Sequence, residues 1–361
     1  MPSAGGTSPD GQTVATIARA ILEVRYMYSW GGSTNNWKKP GAYKYDSARA
    51  PYLDSMAAAS KAKGGRHYAG RASPDSKLVD PRGKTISTDS QNAIVFGVDV
   101  TGSMETWPLE IFDRLPLLYQ TLSQYRPDVE ISFGAIGDAT CDNYPLQVNN
   151  FGKGVDLETH VNALCAEGGG GGQVSESYEL FGHFVINRVK MPNATSPFLF
   201  ICGDENFYTQ VDPAQVEHYI GDKMQGAVDS KKIWAGLTQK FDVYFLHKPY
   251  GNSGDAGITA EVRKHWADAI GPQRVIALPG YDRVVDIAMG IVAKRWGHYG
   301  DFKDSLNSRQ TDPGVVDGVY HSLRFIPEEG STNSRLDNAL PPGRTVPLSK
   351  LLPPGDSGTP A

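Results

Sequence analysis

Apolar positions in this chain fall either in unbroken runs or at helical spacing, and the two patterns alternate most regularly between residues 93 and 296. The run Ile94-Val95-Phe96-Gly97-Val98 leaves no polar alternate position, the signature of a parallel strand covered on both faces. Ile111, Leu115, Leu118, Leu122 and Tyr125 then recur at helical spacing, and 129–136 predicts the next strand. An antiparallel edge strand is expected over 146–151 and a helix over 156–166. Tyr178, Phe181, Val185 and Val189 give the buried face of a further helix, and 198–203 is a second unbroken apolar strand. Helices are expected near 213–225, 230–237, 258–269 and 282–296, with strands over 242–247 and 274–278. The repeated strand–helix order with one hairpin predicts an α/β fold. Its sheet is doubly wound and mostly parallel, of about six strands, with one antiparallel edge strand and helices on both faces.

Outside this stretch the pattern weakens. Val14, Ile17, Ile21, Val24 and Tyr28 predict an amphipathic helix, 30–37 is turn-rich, and 43–63 suggests helix interrupted by Pro51. Residues 80–84 read as extended and polar. Residues 315–325 fit a strand or a short helix, and 327–361 is a Pro/Gly/Ser-rich tail. The expected organisation is an N-terminal extension over 1–90, an α/β domain over 91–298 and a C-terminal extension with its tail over 299–361.

Composition narrows the function classes. At 361 residues and 40% hydrophobic content the chain can bury one large core, and no apolar run is long enough to span a membrane. A net charge of -5 gives no general attraction to nucleic acid. The local excess of Lys61, Lys63, Arg66, Arg71, Lys77, Arg82 and Lys84 reads as a solvated basic surface, with phosphate binding as the alternative. The first residues lack a basic and apolar signal pattern, and three widely spaced cysteines suit reduced thiols, so a cytoplasmic setting is expected.

The candidate chemistry begins where the first strand ends. Asp99, Thr101 and Ser103 follow it as Asp-x-Thr-x-Ser, and Gly102 permits a tight turn, so a carboxylate and two hydroxyls can converge on one point. These are hard oxygen donors suited to Mg²⁺, with Mn²⁺ or Ca²⁺ as alternatives. The strand 198–203 likewise ends in Asp204 and Glu205. Between the two lies Gly168-Gly169-Gly170-Gly171-Gly172, followed by Glu176; no Gly-Lys-Ser/Thr follows, which argues against a phosphate-binding P-loop. A haloacid-dehalogenase-type phosphatase would need a second Asp where Thr101 stands. Asp138 and Asp142 follow the strand 129–136 and, with Glu205, are candidates for the rim of the site. His247 at a strand end reads as a hydrogen-bonded structural histidine.

Val-Asp-Val-Thr-Gly-Ser-Met, the glycine loop with Glu-Ser-Tyr, and Ile-Cys-Gly-Asp-Glu together resemble a von Willebrand factor A domain with its metal-ion-dependent adhesion site. The resemblance covers roughly 92–297 and looks nearest to an uncharacterised bacterial and phage group. It implies a metal held by Asp99, Thr101, Ser103 and Asp204. Most such domains place a Thr in the middle loop; this sequence is similar instead to the integrin β-subunit variant, which implies Glu176 as the fifth ligand. Gln173 replaces the Asp of that variant. Glu176 is expected in the first turn of the following helix, with Ser175 capping it.

The family's habit implies a binding module whose protein partner offers an acidic side chain to the metal, in some bacterial cases beside an AAA+ ATPase. Three carboxylates around a divalent ion leave about one net negative charge, which would repel that acid unless one carboxylate acts through water. No catalytic turnover is expected, because His160, His183 and His218 sit in helical contexts and offer no paired base. A metal-dependent hydrolase, or a structural component that contacts partners through its extensions, are the alternatives.

Overall fold

The computed structural model describes residues 68, 70–172, 174–251, 255–310 and 312–329. The elements expected over 14–28, 30–37 and 43–63, the residue Gln173 and the tail from 330 onward lie outside the described residues.

Six strands form the central sheet: β1 (Ala93–Asp99), β2 (Glu130–Ile136), β3 (Leu146–Val148), β4 (Phe198–Gly203), β5 (Asp242–His247) and β6 (Val275–Ala277). Their spatial order is β6-β5-β4-β1-β2-β3. All are parallel except β3, which runs antiparallel to β2 at the edge. The chain thus winds outward one way from β1 and the other way from β4, and the direction reverses between them. Such a reversal opens a crevice beyond the carboxyl ends of the two strands. The register Val98↔Cys202 brings Asp99 and Asp204 to that crevice side by side.

The helices of seven residues or more are α1 (Trp107–Tyr125), α2 (Asp156–Ala163), α3 (Tyr178–Arg188), α4 (Pro213–Tyr219), α5 (Ser230–Lys240), α6 (Ala256–Ile270), α7 (Val284–Arg295), α8 (Tyr299–Arg309) and α9 (Pro313–Leu323). Because side chains alternate along a strand, each strand feeds two cores. Ile94, Phe96 and Val98 of β1, with Phe198 and Phe200 of β4, pack with α1, α2 and α7. Val95, Leu199, Ile201 and Phe245 pack on the other face with α3, α5 and α6. The two-sided burial is the physical reason why β1 and β4 read as unbroken apolar runs.

Several boundaries differ from expectation. The edge strand stops at Val148, although an isolated bridge between Ile131 and Gly152 keeps the chain beside β2. Helix α2 ends at Ala163 because the next amides are claimed elsewhere: Cys165 N–H donates to Gln147 Oε1 at 2.8 Å and Ala166 N–H to the Tyr68 hydroxyl at 3.3 Å. Helix α4 stops at Tyr219, and the segment left open between strand and helix is helix α9. Helix α8 escaped the hydrophobic pattern because it buries only Phe302 and Leu306, four residues apart. These two residues, with Val316, Val319 and Leu323 of α9, join the same core as α7, across residue 298. Within the basic stretch, Lys84 is a correction: its ammonium turns inward and donates to the carbonyls of Leu78 and Val148, and burial lowers its pKa to about 8. No helix among the described residues is long and apolar enough to cross a membrane.

One close approach sets the geometry near the site. Gly97 and Gly134 are register partners in β1 and β2, and the Phe181 ring of α3 lies across both. An added Cβ would come within 2.8 Å and 2.7 Å of that ring. Gly134→Ala is therefore expected to destabilise the protein by about 1–3 kcal/mol through overpacking. Denaturant unfolding checks this, and trimming the ring with Phe181→Leu in the same chain should recover part of the loss.

Candidate metal centre

Asp99 is fully buried and its two carboxylate oxygens are separately engaged. Its Oδ1 accepts the Thr101 N–H at 2.8 Å and the Thr101 hydroxyl at 2.6 Å, and its Oδ2 accepts the Tyr178 hydroxyl. Thr101 Oγ1 lies 3.2 Å from Ser103 Oγ, and the Ser103 hydroxyl donates to Asp204 Oδ1 at 2.9 Å. One continuous chain of polar contacts thus links the two strand-end carboxylates through both hydroxyls. Gly102–Met104 forms a single 3₁₀ turn that folds Ser103 back toward β4.

The glycine loop is stitched to this turn by its backbone. Gly102 N–H donates to the Gly169 carbonyl at 2.6 Å, and Gly168 N–H to the Val100 carbonyl at 2.8 Å. Gly168, Gly170 and Gly172 adopt positive φ angles of 70°, 115° and 77°, which other residues rarely tolerate. A side chain at Gly170 would press on Glu176 Oε1, at 3.1 Å from its Cβ.

Glu176 departs from expectation in its local structure. It lies before α3, in a short strand Ser175–Glu176 that pairs in parallel with Asn206–Phe207, and Ser177 is the residue at the helix N-cap. Neither serine caps the helix. Ser175 donates to its neighbour's carbonyl, and Ser177 Oγ accepts the Ala139 N–H at 2.8 Å. The strand pairing wins because it ties this segment to the residues just after Asp204. Glu176 is 2% exposed, and its Oε2 has no hydrogen-bond partner among the described residues. It is not hydrogen-bonded to Asp99 or Asp204.

The residues expected at the rim are also buried. Asp142 Oδ2 accepts the Asp138 N–H at 2.7 Å and its Oδ1 the Gly170 N–H at 3.1 Å, so it ties the turn after β2 to the glycine loop. Asp138 accepts from the Thr140 amide and hydroxyl and from the Tyr208 hydroxyl. Glu205 Oε1 accepts the Tyr250 hydroxyl at 3.0 Å while its Oε2 is buried without a partner.

Two contributors had no motif to announce them. Tyr178 was legible only as an apolar helix position, yet its hydroxyl fits beside Asp99 because residue 203 is glycine; a Cβ there would lie 2.1 Å from that oxygen. Lys248 follows β5 directly. Its Nζ donates to the Ser103 carbonyl at 2.8 Å and to Asp204 Oδ2 at 3.1 Å. The sequence shows only a lysine after a strand; the pairing of β5 with β4 is what brings it to the site. His247, beside it, is fully buried, but neither ring nitrogen has a hydrogen-bond partner; it stacks on Phe245, and burial lowers its pKa to about 3.

Burial dominates the electrostatics. It raises the Asp99 carboxyl to about 7, with the Asp204 charge adding to the effect and the hydrogen bonds from Thr101 and Tyr178 opposing it. Burial also raises Asp204, against the pull of Lys248. Glu176 is driven well above the usual carboxylate range by burial and then by Asp138, Glu205, Asp99 and Asp142. Glu205 is pushed to about 9, chiefly by burial and then by Asp204.

Among the described residues, no three His, Cys, Asp or Glu side chains are drawn together as a ready-made ligand set. The donors that do meet are two carboxylates and two hydroxyls. Together with the orphaned carboxylate oxygens of Glu176 and Glu205, they make a buried, acidic set of oxygen donors, with the Lys248 ammonium against Asp204, whose chemistry fits a hard divalent cation.

No family model matches the sequence, and no curated protein matches it. Among solved structures the chain is similar to the pilus adhesin SpaC from Lactobacillus rhamnosus GG, at 12% identity over 61% of this chain and 32% of the adhesin, with a TM-score of 0.42. The open conformation of the same adhesin gives 10% identity over 62% and 31%, with a TM-score of 0.41. Proximal thread matrix protein 1 from the mussel byssus gives 11% identity over 60% of this chain and 49% of that one, with a TM-score of 0.40. The chain therefore spans about a third of the adhesin and about half of the matrix protein it resembles.

Proposed function

We propose that this chain is a metal-dependent protein-binding module of the von Willebrand factor A type, engaging its partner through a divalent cation at the carboxyl end of the sheet. The observation that carries the proposal is the unbroken polar chain from Asp99 through Thr101 and Ser103 to Asp204 at the point where strand order reverses. Asp99, Thr101, Ser103 and Asp204 would hold the ion, and Glu176 would join them from the neighbouring loop. Mg²⁺ is the first choice, with Mn²⁺ or Ca²⁺ as substitutes. When bound, the ion supplies a concentrated positive charge that an acidic side chain of a partner protein can reach.

The chain's own residues set the terms of that contact. Tyr178 orients Asp99, the glycine loop keeps side chains away from the approach, and Asp142 anchors that loop. We read the module as binding without turnover, a reading supported by His247 at the end of β5, which is buried and held neutral rather than poised as a base. A reducing, cytoplasmic setting is supported by the free thiols Cys141, Cys165 and Cys202. In that setting a partner within an AAA+ ATPase system is the candidate to test first, and the acidic net charge speaks against nucleic acid.

The test is capture of partner proteins on immobilised wild type and Asp99→Ala, each with Mg²⁺ and with chelator. Retention by wild type in Mg²⁺ alone is the expected result. Equal retention in chelator would move the contact to other surfaces.

A further inference from the structure

Lys248 is the one cation that the described structure places against the candidate ligands, and it is held there from several sides. Its backbone is fixed first: Lys248 N–H donates to the Gly203 carbonyl at 2.9 Å, continuing the β4–β5 pairing by one residue. The ammonium also faces the Trp107 and Tyr250 rings, whose centroids lie 5.8 Å and 5.7 Å from Nζ, within the range of cation–π attraction. The ammonium ends on Asp204 Oδ2 and on the carbonyl of Ser103. It joins the two halves of the site, since Ser103 belongs to the loop after β1 and Asp204 to the end of β4. The side chain is only 8% exposed and its carboxylate partner is fully buried. A pair so placed is weakly screened by salt.

Resting on the metal reading above, we infer that Lys248 is a resident counter-cation of the site, which pairs Asp204 when no metal is bound and lowers the affinity for a divalent ion by charge repulsion when one is. Three carboxylates around a divalent ion leave about one negative charge, and the ammonium cancels it. The same positive charge stands close to any ion held by Asp204 and Ser103, so it raises the free energy of the loaded state while stabilising the empty one. Removing it should therefore have opposite effects on the two states. A lysine that served packing alone would, on removal, weaken both.

The experiment compares wild type with Lys248→Met, which keeps an unbranched side chain one atom shorter and removes its charge, by Mn²⁺ titration calorimetry and thermal unfolding with and without Mn²⁺. Lys248→Gln carries the same test should the methionine variant not fold. The variant is expected to bind Mn²⁺ at least about tenfold more tightly. It should melt at a lower temperature than wild type in chelator, and saturating Mn²⁺ should close most of that gap. Equal or weaker Mn²⁺ binding by a folded variant, beside normal binding by wild type, overturns the role of Lys248 and leaves the metal reading standing. Absence of Mn²⁺ binding in both overturns the metal reading and this inference with it.

Discussion

In chelator, the protein is expected to lose a few kcal/mol of stability between about pH 6.5 and pH 8, the reverse of what paired surface carboxylates would produce. The carboxyls of the site have folded-state pKa values above their unfolded ones, Asp99 at about 7 and Glu205 at about 9, because burial and neighbouring charges penalise ionisation. A group raised in this way contributes stability that is complete below its unfolded pKa and is lost as pH rises through the folded value. Each carboxyl still protonated in the folded state removes about 1.4 kcal/mol per pH unit. Glu176 and Glu179, both raised well above the carboxylate range by burial, act in the same direction.

Opposing groups act inside the window but count for less than the carboxyls. Histidines lowered by burial, such as His247 and His183, are still partly protonated in the unfolded chain near pH 6.5, and Lys84 and Lys240, each lowered to about 8, begin to lose their protons in the folded protein toward the upper end. Urea unfolding at the two pH values checks the slope. Saturating Mg²⁺ should flatten or reverse it, since the ion binds the ionised carboxylates and its affinity rises with pH. A stability that stays level or rises with pH in chelator would refute the buried acidic cluster as drawn.

The second large effect concerns the ligands themselves. Asp204→Asn should weaken Mg²⁺ binding by at least about a hundredfold, beyond the 10–100-fold that changes around a metal's ligands cost. Asparagine is preferable to alanine because Asp204→Ala would strand the buried Lys248 ammonium, a loss of about 3–5 kcal/mol of stability unrelated to metal. Glu176→Gln removes one charge and keeps the shape, so a drop of about tenfold is expected from it. Calorimetry with Mg²⁺ on the three proteins reads these differences. Wild-type affinity in Glu176→Gln would remove Glu176 from the ligand set and leave Asp99 and Asp204 in it.

The pattern of runs and spacings carried the doubly wound sheet, its antiparallel edge and the placement of Asp99 and Asp204, because a strand buried on both faces has no freedom in which residues it exposes. It failed where tertiary contacts override local preference. Ser175 and Glu176 carry a helix-start signal, yet pairing with Asn206 and Phe207 draws them into a strand. Helix α8 buries too few residues to leave a periodic mark. Lys248 was invisible for a different reason: nothing in a lone lysine after a strand states that β5 lies next to β4, and only that adjacency sends its ammonium to Asp204. Tyr178 hid its polar end in the same way, since its ring satisfies the helix pattern and its hydroxyl role depends on the space left by Gly203.

The central claim is that one divalent cation sits between the ends of β1 and β4. The most direct test is a crystal of the protein grown or soaked with Mn²⁺ and measured for anomalous scattering. The account predicts a single strong peak within coordination distance, about 2.0–2.3 Å, of oxygens from Asp204, Ser103 and Thr101 or Asp99. Saturating Mn²⁺ with no peak there, and with the Ser103–Asp204 hydrogen bond and the Lys248–Asp204 pair intact, would contradict it.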